Sequence, residues 1–160
     1  MIEGYQKKFL VTVFLLLISA GVAVAQQNLI NNGNFEIQTG DFIDYWGVTA
    51  WKNQEGTITA ERTPGGKSGA WAVRLSASEP DDAKLVQSVP VEPNTLYRLS
   101  GWIGVVAPVE GDLGANLSTM ETMETTADVK NPKEGWVFRT LYGKTGPDQR
   151  NLTVTLRLGG

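Results

Sequence analysis

The chain has 160 residues, with 14 Lys and Arg, 17 Asp and Glu, neither His nor Cys, and a formal net charge of −3. Without His or Cys there is no imidazole base, thiol nucleophile or disulfide, and no zinc site built on those ligands. An acidic balance with no basic stripe argues against a nucleic-acid partner, and the length suits one domain.

The sequence opens with Lys7 and Lys8, an apolar run from Phe9 to Ile18, and the small-residue exit Ala23-Val24-Ala25. A charged start, a short apolar centre and an A-x-A exit are the parts of a secretory signal peptide. The competing reading is a single membrane anchor, for which the apolar stretch is at the short limit. We read residues 1–25 as a cleaved leader and residues 26–160 as a secreted or cell-surface domain, with no membrane attachment after cleavage.

No amphipathic helical pattern of useful length follows. Short alternating runs bounded by Gly, Pro, Asn and Asp recur instead, which predicts strands. In chain order they are residues 29–37 (broken by Asn31-Asn32-Gly33-Asn34), 45–52, 57–61, 70–76, 84–91, 95–106, 113–120, 136–142 and 152–158. About nine short strands with frequent turns predict an all-β fold, an antiparallel β-sandwich of the jelly-roll kind. Residues 120–133 are polar, repeat Met-Glu-Thr, and read as an exposed loop or a weakly specified hairpin.

Alternation assigns faces, because successive strand side chains point to opposite sides. In the last strand Leu152, Val154, Leu156 and Leu158 face the core, and Thr153, Thr155 and Arg157 form a polar row. In the longest strand Tyr97, Leu99, Gly101 and Ile103 face inward, and Arg98, Ser100 and Trp102 outward. Trp46, Trp71, Trp136 and Tyr97 are expected in the core. Leu85, Gln87 and Val89 share a parity, so Gln87 reaches a polar face only if a bulge intervenes.

Several blocks then recur in a telling order: Asn31-Asn32-Gly33-Asn34-Phe35-Glu36, Trp46, Gly66-Lys67-Ser68-Gly69-Ala70-Trp71, Val86-Gln87-Ser88-Val89, the run from Val91 to Ile103, and Gly135-Trp136. This series resembles the bacterial carbohydrate-binding modules of the family 4, 9 and 22 type, which are galactose-binding-domain-like jelly rolls attached to glycoside hydrolases. The resemblance covers nearly all of residues 28–160. It implies a polysaccharide partner held in a sheet cleft, and a covalently attached catalytic domain. It also implies a structural Ca²⁺ near Glu36, with the backbone carbonyl of Lys67 as a companion ligand. The family's closing strand, with its Asp residues, has no counterpart before Gly160, so the expectation is either a fragment of a longer protein or an edge built differently.

Sugars present flat C–H faces and rings of hydroxyls, which proteins meet with aromatic rings and with amide, guanidinium and hydroxyl groups. The outward rows and the resemblance together name Thr49, Trp51, Gln87, Trp102, Asn116, Thr153 and Arg157 as the carbohydrate-binding set, looking out from one hollow. The carboxylate clusters Asp41/Asp44, Glu79/Asp81/Asp82 and Glu110/Asp112 lie in Gly- or Pro-flanked turns, where acids are ordinarily solvated. No catalysis by this chain is expected, and Gly65-Gly66-Lys67-Ser68 lacks the leading Gly of a phosphate loop. The expected function is binding of xylan or β-glucan. The alternative is a structural or adhesive sandwich of a cell-surface protein with no sugar site.

Overall fold

The computed structural model describes residues 27–52 and 54–159. The expected leader, residues 1–25, lies outside them. Ten strands form: β1 (Gln38–Thr39), β2 (Phe42–Ile43), β3 (Gly47–Thr49), β4 (Ile58–Pro64), β5 (Trp71–Ala77), β6 (Ala83–Pro90), β7 (Leu96–Ile103), β8 (Ala115–Thr119), β9 (Val137–Lys144) and β10 (Asn151–Leu158). One 3₁₀ turn, Pro132–Glu134, is capped by Asn131. The fold is an all-β antiparallel sandwich. No helix of the described residues is long and apolar enough to cross a membrane.

One layer is a four-stranded sheet in the order β3-β6-β10-β8, and the pairs β4–β5, β7–β9 and β1–β2 complete the fold. Register follows from the alternation. Val48, Leu85, Leu156 and Leu117 lie in one transverse row of the four-stranded sheet, and Thr49, Lys84, Arg157 and Asn116 lie in the next. Consecutive rows face opposite sides, so the first is the inner face and the second the outer. The core forms where Leu117 and Leu156 meet Leu99, Ile103, Val137 and Leu141 of the β7–β9 pair. Gly101 of β7 faces the Leu117 side chain at ordinary packing distance. A second cluster gathers Val89, Val91 and Leu152 with Leu29, Ile30 and Tyr97.

Two expectations are corrected here, and one is decided between its two readings. The first expected strand is a turn, because Asn32 organises it. The Asn32 amide donates to the carbonyls of Ile37 and Asp44, and its oxygen accepts from Ile37 N. Its own carbonyl accepts from Phe35 N and from the Trp46 indole. Asn32 takes the left-handed conformation (φ 48°), which Asn tolerates better than most residues. Of the two readings of residues 120–133, the weakly specified hairpin is the one found. Bridges at Ala115–Val129 and Ser118–Thr125 lay this segment along β8 and bury Val129 completely. Trp136 is not a core residue, since 41 % of it is exposed.

Candidate functional site

The carbohydrate-binding set does not share one hollow. The inner face of β7–β9 packs on the inner face of the four-stranded sheet. Their outer faces therefore look in opposite directions. Thr49, Asn116, Thr153 and Arg157 lie on the outer face of the four-stranded sheet, and Trp102 lies on the outer face of β7–β9. Alternation reports which side of a strand a residue occupies, not which sheet the strand joins.

Gln87 belongs to neither outer face. It pairs with Val154 on the inner side of β6, and no bulge intervenes. Its oxygen accepts from Asn31 N (2.8 Å) and its amide donates to Asn31 O (2.9 Å), so it pins the N-terminal turn from below.

On the polar face, Arg157 donates to both oxygens of Asp82, from Nε at 2.6 Å and from Nη2 at 3.0 Å. Lys84 Nζ reaches the same carboxylate at 2.6 Å. Burial acts to raise the Asp82 pKa, but the bonds and charges of Arg157 and Lys84 outweigh it and hold the carboxyl below its ordinary value. Asn116 donates to Asp128 at 2.8 Å. Thr153 is engaged by Glu121 through both its amide and its hydroxyl. Trp51 follows β3 and is 83 % exposed.

On the aromatic face, the outward positions of β7 are Leu96, Arg98, Ser100 and Trp102, opposite Lys144, Tyr142, Thr140 and Phe138 of β9. Trp102 is 42 % exposed, Phe138 51 % and Tyr142 60 %, and the half-exposed Trp136 ring lies by Gly104 at the end of the row. The Trp102 and Phe138 rings are 5.1 Å apart and tilted by 56°. Successive outward positions along a strand are about 6.7 Å apart, so Phe138 and Tyr142, two such steps apart on β9 with Thr140 between them, are separated by about 13 Å. Ser100 and Thr140 place hydroxyls between the rings, and Arg98 places a guanidinium opposite Tyr142. Phe138 and Tyr142 were absent from the sequence-derived set, although their pairing with Trp102 and Arg98 puts them on that same face.

Lys67 enters this face from the β4–β5 turn, with Nζ 5.1 Å from the centre of a Trp102 ring. The turn is shaped by its glycines. A Cβ at Gly66 would collide with the Trp71 carbonyl, and one at Gly69 with the Glu36 carboxylate. Glu36 Oε1 accepts from Ala70 N (2.8 Å) and Trp71 N (3.2 Å), which ties the N-terminal segment to the start of β5.

Calcium requires roughly six to eight oxygen ligands. Among the described residues no group of three or more potential metal-ligating side chains surrounds Glu36 or any other point. Glu36 supplies one carboxylate, and the remaining ligands of the expected Ca²⁺ would be backbone carbonyls such as that of Lys67. Glu36→Ala is expected to cost about 1 kcal/mol through the lost bonds to two partly hydrated amides, read as a lower melting temperature. EDTA tests the expected Ca²⁺ directly: a lower melting temperature of the parent supports it, and an unchanged one contradicts it. Stabilisation of the parent but not of the variant by added Ca²⁺ would make Glu36 a ligand after all.

No family model matches this chain. Exochitinase 1 of Streptomyces olivaceoviridis is 26 % identical over 142 residues, a match covering 89 % of this chain and 19 % of that protein. The chain therefore spans about a fifth of the length of this curated relative. The enzymatically active domain of bacteriophage CBA120 tailspike protein 4 shares the fold, with a TM-score of 0.53 at 16 % identity over 82 % of this chain and 19 % of that one.

Proposed function

We propose that this chain is an exported, non-catalytic module that binds a β-linked polysaccharide and serves as an accessory domain of a glycoside hydrolase. The sugar rings stack on the outer face of β7–β9, over Trp102, Phe138 and Tyr142. The observation that carries this reading is the run of half-exposed aromatic rings on one sheet face, interleaved with hydroxyl and guanidinium groups. An apolar surface of that kind on a soluble domain is characteristic of an interaction site, and flat rings with polar neighbours suit the two kinds of surface a sugar offers. The partial match to an exochitinase supports a polysaccharide ligand and adds chitin to xylan and β-glucan as candidates.

The test is retention of the purified chain on chitin, xylan and mixed-linkage β-glucan, with reducing-sugar release followed in parallel. Retention on at least one of them without sugar release is the expected result. Release of reducing sugar by the chain alone would contradict the non-catalytic reading, and retention on none would contradict the binding reading.

A further inference from the structure

The four-stranded sheet and the β7–β9 pair pack closely at one end and stand apart at the other. Leu117, Leu156 and Ile103 close the first end. At the second, a cavity of about 690 Å³ lies between the inner faces, within the size range of small-molecule sites. One wall is Val89, Leu152 and Val154 of the four-stranded sheet, and the other is Tyr97, Leu99 and Leu141 of the β7–β9 pair. Protein interiors rarely leave voids larger than a water molecule, so this space is not ordinary packing. Tyr97 and Leu99 remain only half-buried although they point inward. Gly143, opposite Tyr97, also faces the cavity. A Cβ there would meet nothing closer than Thr122 Oγ1 at 3.7 Å, so packing does not require this glycine. Glycine inside a strand often marks the close approach of a ligand.

Most hydroxyls of the lining are engaged within the protein. That of Tyr97 accepts from Glu92 N, those of Thr95 and Thr145 donate to Pro93 O and Glu92 O, and those of Thr119 and Thr122 bond each other. The interior therefore suits an apolar ligand body and not a sugar. Arg98 and Lys144 are the charged residues of the lining, and both are exposed at its rim. They are diagonal neighbours across the β7–β9 pair, with Cβ atoms roughly 7–8 Å apart. Neither has an ion-pair partner among the described residues. We propose that this cavity binds a single-chain amphiphile, with the alkyl chain between the sheets and an anionic head at Arg98 and Lys144. The site is independent of the sugar reading, although Arg98 borders both surfaces.

The experiment follows the fluorescence of cis-parinarate on the purified chain and its displacement by dodecanoate, dodecyl phosphate and dodecyltrimethylammonium, all below micelle-forming concentrations. Saturable binding of the probe is expected, with displacement by one or both anions and about tenfold more weakly by the cation. Gly143→Leu fills the cavity with apolar atoms and is expected to abolish saturable binding without lowering the melting temperature. Lys144→Gln, at an exposed position, is expected to weaken the anions about threefold without weakening the cation. In the parent, the methyl NMR signals of Leu99, Leu141 and Val154 are expected to shift as dodecanoate is added. Methyl signals that stay in place during saturable binding would overturn the cavity, even if the Gly143→Leu protein does not fold. No saturable probe binding by the parent would also overturn it, as would parent-like binding by a folded Gly143→Leu protein. Equal displacement by the cation, or parent-like anion binding by Lys144→Gln, would overturn the assignment of the head group.

Discussion

Replacing Trp102 and Phe138 together by alanine is expected to weaken retention by the outer face of β7–β9 about thirtyfold or more while lowering the melting temperature only modestly through the lost ring pair. Stacking of a flat ligand ring on an aromatic side chain contributes about 1–3 kcal/mol in nucleic-acid complexes, and every 1.4 kcal/mol is a factor of ten in affinity. Two rings at the low end of that range give the stated loss. The fold persists because both residues occupy outward positions opposite each other on β7 and β9, whereas the core is made by Ile103, Leu141 and their inward neighbours. Phe42→Ala is the control, since Phe42 is an even more exposed ring on the small β1–β2 pair. Affinity electrophoresis in gels containing the retained polysaccharide reads all three proteins side by side. Equal mobility shifts for parent and double variant would remove the aromatic face from binding.

The second large effect concerns Asp82. Asp82→Ala leaves the partly buried Arg157 and Lys84 facing each other across the β6–β10 pair without their shared counter-charge. We expect a loss of about 2–3 kcal/mol, below the range for fully buried pairs because these side chains keep some contact with water. The pH dependence has a definite sign. The folded Asp82 pKa is lowered, so its contribution is complete above the ordinary carboxylate pKa of about 4. That contribution disappears as pH falls through the lower folded value. The difference in melting temperature between parent and Asp82→Asn should therefore be constant from neutral pH down to about 4 and shrink in stronger acid. A difference that stayed constant into stronger acid would mean that the Asp82 charge does not stabilise the fold.

Much of the architecture is legible in the residues themselves. The Leu/Thr alternation of 152–158 is the register of β10, and the Tyr97 to Ile103 row is the inner face of β7. Strand 84–91 was equally clear: Gln87 shares its parity with Leu85 and Val89, and it is buried with them because the amide of Asn31 meets it there. The N-terminal turn was harder to read, because Asn32 acts through side-chain hydrogen bonds that leave no periodic trace. Residues 124–129 were legible only as one of two readings, a loop or a weak hairpin. Their pairing with β8 is interrupted, and only Val129 and Thr126 turn inward.

The candidate site was half legible for a related reason. Trp102, Thr49, Asn116 and Arg157 all point outward as alternation requires, but on two different sheets. Which outward rows belong together is decided by long-range pairing, and parity within a strand carries no information about it. Trp136 was misplaced because an aromatic after glycine at a strand entry looks like a core anchor. Here its ring lies by Gly104, which has no side chain to cover it.

The most direct test of the central claim is an NMR titration of the ¹⁵N-labelled protein with a soluble oligosaccharide of whichever polysaccharide retains it. The account predicts that the Trp102 indole N–H and the amides of Phe138 and Tyr142 move in proportion to saturation. Saturable binding that leaves these three signals unmoved would contradict it.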